Sequence, residues 1–109
     1  MVQKTQLQLK YKMYLKIHKT EERIIISLCD EDLVGKKFTE KNLQLAVNER
    51  FYKGDKITEK EAIPILKEAW VLNIVGEKSI KAALKAKAIT KENIIKIQGI
   101  PHAQSIAMY

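Results

Sequence analysis

The sequence predicts a single α+β domain, in which a mixed sheet of about five strands is flanked by two main helices. Three observations predict this class. The chain has 109 residues, the size of one domain, and 46% of them are hydrophobic, which is enough for a core. Short β-branched segments also alternate with two segments of helical periodicity. We expect residues 13–109 to form the compact domain and residues 1–12 to form either a basic N-terminal arm or an added strand.

The first half of the domain is expected to consist mainly of strands. Residues 13–18 and 23–29 have the composition of two strands of a hairpin, and the polar residues 19–22 separate them. The second strand is almost continuously apolar, which is typical of a central strand buried on both faces. Residues 30–35 interrupt this pattern as a short helix or turn that begins with acidic residues, and the alternation of residues 43–47 predicts a third strand.

The two main helices are predicted in the second half. Thr58 and Glu61 have the spacing of a capping box, and a helical stripe of apolar residues follows them. Pro64 conflicts with this stripe, because a proline inside a helix removes a hydrogen bond at a cost of about 3 kcal/mol. The helix therefore begins near Pro64 or is kinked there. Residues 77–88 predict the second helix, in which apolar and lysine positions fall on opposite sides.

The segments between and after the helices complete the expected fold. Residues 51–55 predict a loop with two exposed aromatic side chains, and residues 71–76 a short apolar strand that ends in glycine. Residues 94–97 predict another strand, residues 99–101 a turn, and residues 105–108 the last strand.

The composition excludes several classes of protein. One cysteine, Cys29, allows no disulfide within the chain and no site of several cysteines, and this usage is typical of a reducing compartment. Acidic residues follow Cys29 directly, which favours a buried thiol over a reactive one. No apolar run reaches the roughly 20 residues of a membrane span, so we expect a cytoplasmic protein without a membrane partner. The four glycines are too scattered for a phosphate-binding loop, and no cofactor is expected.

Positive charge is the strongest functional signal in the sequence. The chain carries 20 basic and 13 acidic side chains, a net charge of +7, which favours a polyanionic partner such as RNA. The surface of a thermophilic protein is an alternative explanation for so many lysines. Tyr52 is expected to stack on a base. The lysines expected to contact phosphates are Lys10, Lys12, Lys16, Lys36, Lys37, Lys78, Lys81 and Lys85.

Two other classes of function remain open. An enzyme or a protein that binds a small ligand or a metal requires His18 and His102 to meet in one pocket with Gln104 and Asp30. The acidic run at Asp30 is better explained by turn and helix-start chemistry, and we assign neither metal ligands nor catalytic residues. A protein-interaction module that uses Phe51 and Tyr52 as anchors is the other alternative.

Several short stretches together resemble an archaeal family, catalogued as domain of unknown function 424. They are residues 13–22, 29–38, 47–52, 73–77 and 99–104, and the resemblance runs from Met13 to about Ile106. It implies a compact α/β protein of the archaeal cytoplasm, without an established activity, substrate or cofactor. It also suggests neighbours in translation and ribosome maturation. The matching residues that we expect to form a functional edge, together with His18, are Gly99, Pro101, His102 and Gln104.

These observations lead to one expected function. We expect a non-enzymatic protein associated with RNA or a ribosomal subunit, acting in archaeal translation or ribosome maturation, with a translation factor as a further partner. Its contacts with phosphates would be mainly electrostatic, so binding should weaken steeply as salt increases.

Overall fold

The computed structural model describes residues 11–106 of the chain. Within this range it contains eight strands and three α-helices. The strands are β1 (Met13–Lys19), β2 (Ile24–Asp30), β3 (Lys37–Glu40), β4 (Leu43–Ala46), β5 (Asp55–Ile57), β6 (Val71–Val75), β7 (Ile94–Ile97) and β8 (Ile100–Ile106). The helices are α1 (Glu49–Tyr52), α2 (Glu59–Lys67) and α3 (Glu77–Lys85).

Six of the strands form one mixed sheet. Their order is β5-β1-β2-β6-β8-β7, and β2 and β6 are parallel whereas the other neighbours are antiparallel. Strands β3 and β4 form a separate hairpin. The predicted class, an α+β domain with a mixed sheet, is therefore confirmed. The segment at residues 43–47 lies in this hairpin rather than in the main sheet. Strand β5 was not predicted, and its first residue, Asp55, lies at the end of the expected loop.

The two faces of the sheet are covered differently. Because side chains alternate along a strand, Leu28 and Ile74 point to one face and Cys29 and Val75 to the other. The first face packs against α2 and α3 and carries the larger apolar core. We call the second face the open face. The β3–β4 hairpin and α1 cover it in part, around Cys29, Val75 and Tyr52.

Helix α2 begins with the predicted capping box. The Thr58 hydroxyl accepts a hydrogen bond from the Glu61 N–H at 3.2 Å, and the Glu61 carboxylate accepts one from the Thr58 N–H at 3.1 Å. The helix then continues through Pro64 to Lys67. A helix start near Pro64 is therefore wrong. The cap satisfies the first N–H groups several residues earlier, and the side chains of Ala62 and Leu66 are buried on either side of the proline.

Three boundaries differ from the sequence prediction. Helix α3 ends at Lys85 rather than at residue 88, and Lys87 has left-handed backbone geometry with a φ of 58°. The turn between β7 and β8 consists of Gln98 and Gly99, with φ of 52° and 79°, as in two-residue hairpin turns. Pro101 therefore lies inside β8, and this strand begins five residues before the predicted 105–108. No helix within residues 11–106 has the length and apolar character to cross a membrane.

Candidate functional site

The start of α3 is fixed by an acidic side chain from β2. Asp30 is 4% exposed, and its carboxylate accepts hydrogen bonds from the Ser79 N–H at 2.8 Å, the Ser79 hydroxyl at 2.7 Å and the Lys78 N–H at 3.1 Å. A negative charge at a helix N-terminus is also favoured by the helix dipole. Asp30 therefore positions α3 against the sheet.

Gly76 makes this arrangement possible. Its φ is 105°, and a Cβ atom at this position would lie 2.3 Å from the Asp30 Cγ atom. Only glycine allows the chain to pass from β6 into α3 while the Asp30 carboxylate occupies the space beside it. Within residues 11–106, no three His, Cys, Asp or Glu side chains are grouped so that they would hold a metal ion.

Helix α3 and strand β7 form the walls of a groove that we call the lysine groove. Lys81 and Lys85 line it from the helix, and Lys96 lines it from the strand. Its volume is about 360 Å³. The remaining lining residues are Glu77, at the start of α3, and the apolar side chains Ile80, Leu84, Ile94 and Pro101.

The lysine groove contains only part of the predicted lysine set. Lys85 also pairs with Glu59 of α2, with its Nζ atom 2.6 Å from Oε1. Lys78 does not line the groove but a neighbouring cavity of about 220 Å³, together with Asp30 and Asp32. The sequence prediction missed Lys96. The alternation in Ile95-Lys96-Ile97 was the available signal, because it places Lys96 on the opposite face from its two neighbours.

The other predicted lysines lie elsewhere. Lys16 lies on the open face and donates a hydrogen bond to the Arg50 carbonyl oxygen. Lys36 and Lys37 are exposed at the start of the β3–β4 hairpin, Lys12 immediately precedes β1, and Lys10 lies outside the described residues. The predicted arm at residues 1–12 likewise lies almost entirely outside them. The lysine set is therefore divided among separate surfaces.

The expected exposed loop at residues 51–55 is wrong. Phe51 and Tyr52 belong to α1, and Tyr52 is 4% exposed. The Tyr52 hydroxyl donates a 2.6 Å hydrogen bond to Oδ1 of Asn73, and burial raises the pKa of Tyr52. The ring fills the space beside Cys29 and Val75 under the hairpin. A ring packed in this way presents no free face to a base or to a partner protein.

Phe51 is held by two polar side chains of the open face. Its carbonyl oxygen accepts a 3.0 Å hydrogen bond from the Ser27 hydroxyl and lies 2.9 Å from Nε2 of His18. The rings of His18 and Phe51 are stacked, with their centroids 4.3 Å apart. His18 therefore anchors α1 to the sheet.

The structure does not bring His18 and His102 together. Both lie on the open face, but β1 and β8 are three strand spacings apart and the two residues are offset by four positions. This places their Cα atoms about 19 Å from each other. Nδ1 of His102 lies 3.0 Å from the Ile74 carbonyl oxygen, to which it donates. The expected pocket of two histidines with Asp30 does not form, because Asp30 points to the other face.

The predicted functional edge is also divided. Gln104 is exposed on the open face, opposite Asn73 in the register of β6 and β8. Pro101 is buried and lines the lysine groove on the other face of the sheet. Gly99 lies in the exposed hairpin turn. Of this set, only Pro101 lines the lysine groove.

Burial gives His102 a pH-dependent effect on stability. Burial lowers the pKa of His102 below its ordinary value of 6.5, and the hydrogen bond to Ile74 opposes this effect in part. As pH falls through 6.5, the unfolded chain gains a proton that the folded chain does not, so the free energy of unfolding should decrease. We expect a smaller decrease in His102→Asn, measured by urea unfolding at pH values of about 7.5 and 5.5. Equal decreases in both proteins would contradict this role.

Cys29 is fully buried, as predicted. Burial, with smaller contributions from the charges of Asp30 and Asp32, raises the pKa of the thiol to about 12. The thiol donates a 3.2 Å hydrogen bond to the Asp30 carbonyl oxygen. Cys29 is therefore a neutral core residue at physiological pH.

The structure thus defines an α+β domain whose open face is fixed by internal hydrogen bonds and whose helical side carries a basic groove. The chain belongs to the family described as protein of unknown function DUF424, whose model matches residues 17–108. The fold is similar to the crystal structure of an uncharacterized conserved protein from Methanopyrus kandleri, an archaeon. The two share 27% sequence identity with a TM-score of 0.75, over 85% of this chain and 89% of that one. No protein with a curated description matches the sequence.

Proposed function

We propose that this protein is a non-enzymatic RNA-binding protein of the cytoplasm, which acts in translation or ribosome maturation. The observation that carries the proposal is the lysine groove, in which Lys81, Lys85 and Lys96 approach one cavity from two elements. Lysine is a compact point charge suited to phosphate, and a net charge of +7 attracts RNA at long range.

The pattern of salt bridges favours RNA binding over adaptation to high temperature as the explanation for the many lysines. Thermophilic surfaces carry networks of paired charges. Within residues 11–106 there are two salt bridges, Lys56–Glu31 and Lys85–Glu59, and they share no residue. Neither Lys81 nor Lys96 forms one. Two lysines that line one groove and form no salt bridge within the described residues are better explained by an anionic ligand than by such a network.

The test is RNA binding by a variant that removes these two charges. We expect K81Q/K96Q to bind a fluorescein-labelled single-stranded RNA about 25-fold more weakly than the wild type at 0.1 M salt, since each lost phosphate contact reduces affinity about fivefold. The slope of log affinity against log salt should become shallower by about 1.4. Fluorescence anisotropy across a salt series measures both quantities.

A matched variant controls for net charge. K53Q/K60Q removes two exposed lysines outside the groove, and its affinity should remain within about twofold of the wild type. Equal losses in the two variants would show that only overall charge matters. The absence of any salt-sensitive binding by the wild type would reject RNA binding itself.

A further inference from the structure

The floor of the lysine groove is apolar, which phosphate binding alone does not require. Ile80 is 6% exposed and Pro101 is buried, while Leu84 and Ile94 are half-buried and border the cavity. Charged side chains surround this floor on both walls. An apolar surface inside a basic rim matches a ligand that combines a flat apolar group with negative charges.

An unpaired nucleotide has this combination, whereas a nucleotide in a duplex does not. In a double helix both faces of each base are stacked on neighbouring bases, and a protein meets mainly phosphates and riboses. In a single strand the base can turn outward and pack against a protein surface while its flanking phosphates remain accessible. A groove of about 360 Å³ lies at the lower end of the range for small-ligand sites, so it has room for one base with its ribose.

The position of the groove allows a continuous strand to pass through it. Strand β7 is the edge of the six-stranded sheet, so within residues 11–106 no further strand closes the groove on that side. Among the residues of α3 that line the groove, charge is also polarised, because Glu77 is the first residue of the helix and Lys85 the last. Phosphates are repelled near Glu77 and attracted near Lys81, Lys85 and Lys96.

We propose that the lysine groove binds one unpaired nucleotide of RNA, with the base on the floor formed by Leu84, Ile94 and Pro101 and the flanking phosphates at the lysines. This inference rests on the proposed function and adds to it that the protein selects single-stranded over double-stranded RNA. Electrostatics alone predicts the opposite order, because a duplex carries the higher charge density.

The test compares a single-stranded RNA with a duplex that contains the same strand, both labelled with fluorescein. We expect the wild type to bind the single strand about tenfold more tightly than the duplex, because the affinity gained by packing one base on the apolar floor outweighs the electrostatic advantage of the duplex. L84S should lose most of this preference by weakening single-strand binding about fivefold while leaving duplex binding unchanged. K81Q/K96Q should weaken both.

The control variant is L43S, which makes the same substitution at an exposed leucine of the β3–β4 hairpin. It should keep the full single-strand preference. Urea unfolding of L84S verifies that the variant is folded under the binding conditions, and Ile94→Thr offers a second change to the same floor. Duplex binding equal to or tighter than single-strand binding, with both still sensitive to K81Q/K96Q, would overturn the nucleotide site and leave the proposed function intact. Binding to neither RNA would overturn both.

Discussion

Replacing Asp30 with alanine is expected to lower the free energy of unfolding by at least about 3 kcal/mol. The carboxylate is buried and accepts three hydrogen bonds, from the Lys78 N–H, the Ser79 N–H and the Ser79 hydroxyl. Alanine would leave these donors at the start of α3 without an acceptor, and it would remove the charge that the helix dipole stabilises. Hydrogen bonds to charged groups contribute about 1.5–3 kcal/mol each, although such contributions do not add fully within one cluster.

Two further variants distinguish the loss of the Asp30 hydrogen bonds to α3 from the general effect of removing a carboxylate on stability. Ser79→Ala removes only the hydroxyl donor and should cost about 1 kcal/mol. Asp32→Ala removes an exposed carboxylate two residues away and should change stability by less than about 0.5 kcal/mol. Guanidinium unfolding followed by circular dichroism measures all three. A loss in Asp30→Ala no larger than that in Asp32→Ala would mean that α3 keeps its position without the cap.

The structural importance of Asp30 shows where the sequence was informative and where it was not. Acidic residues after a strand predicted a turn or helix start, and a 3₁₀ turn does follow at Glu31–Leu33. The helix that Asp30 caps, however, begins 47 residues later, at Glu77. Local patterns carry no information on such a pairing, because it depends on the parallel alignment of β2 with β6. The glycine at position 76 was visible in the sequence, but the carboxylate that requires it was not.

The central strand and the helix cap were predictable because each depends on residues that are close in the sequence. The apolar pattern of β2 and the Thr58–Glu61 capping box are properties of neighbouring residues, which the sequence displays directly. Tyr52 illustrates the limit. It lies among charged residues and a glycine, which is the composition of a loop, yet it is buried because the β3–β4 hairpin covers it. Its partner, Asn73, lies 21 residues away.

The candidate site also has a part that local sequence patterns predicted and a part that depends on contacts between distant segments. The helical spacing of Lys81 and Lys85 predicted a shared side of α3, and both lysines line the groove. Lys96 joins them only because β7 pairs with β8 at the edge of the sheet. For the two histidines, the sequence suggested a proximity that does not exist. His18 and His102 both lie near predicted strand ends, but the order of the strands places β1 and β8 far apart in the sheet.

Gly54→Ala is expected to lower the free energy of unfolding by about 3 kcal/mol, for steric reasons alone. A Cβ atom at Gly54 would lie 2.2 Å from the Leu15 carbonyl oxygen and 2.8 Å from the Lys16 Cβ atom. The Leu15 backbone cannot move aside easily, because it belongs to β1, which pairs with β2 on one side and with β5 on the other. The added methyl group must therefore push β5 away from the sheet, together with the side chain of Ile57 that this strand buries.

A second glycine provides the comparison for this effect. Gly35 has a φ of 89° but open space around the position of a Cβ atom, so Gly35→Ala tests backbone strain without a clash and should cost about 1 kcal/mol. Urea unfolding followed by the fluorescence of Trp70, the one tryptophan of the chain, measures both variants. If Gly54→Ala proved no more destabilising than Gly35→Ala, the connection between α1 and β5 would have room to move, and the edge of the sheet at β5 would be held less rigidly than its contacts with β1 indicate.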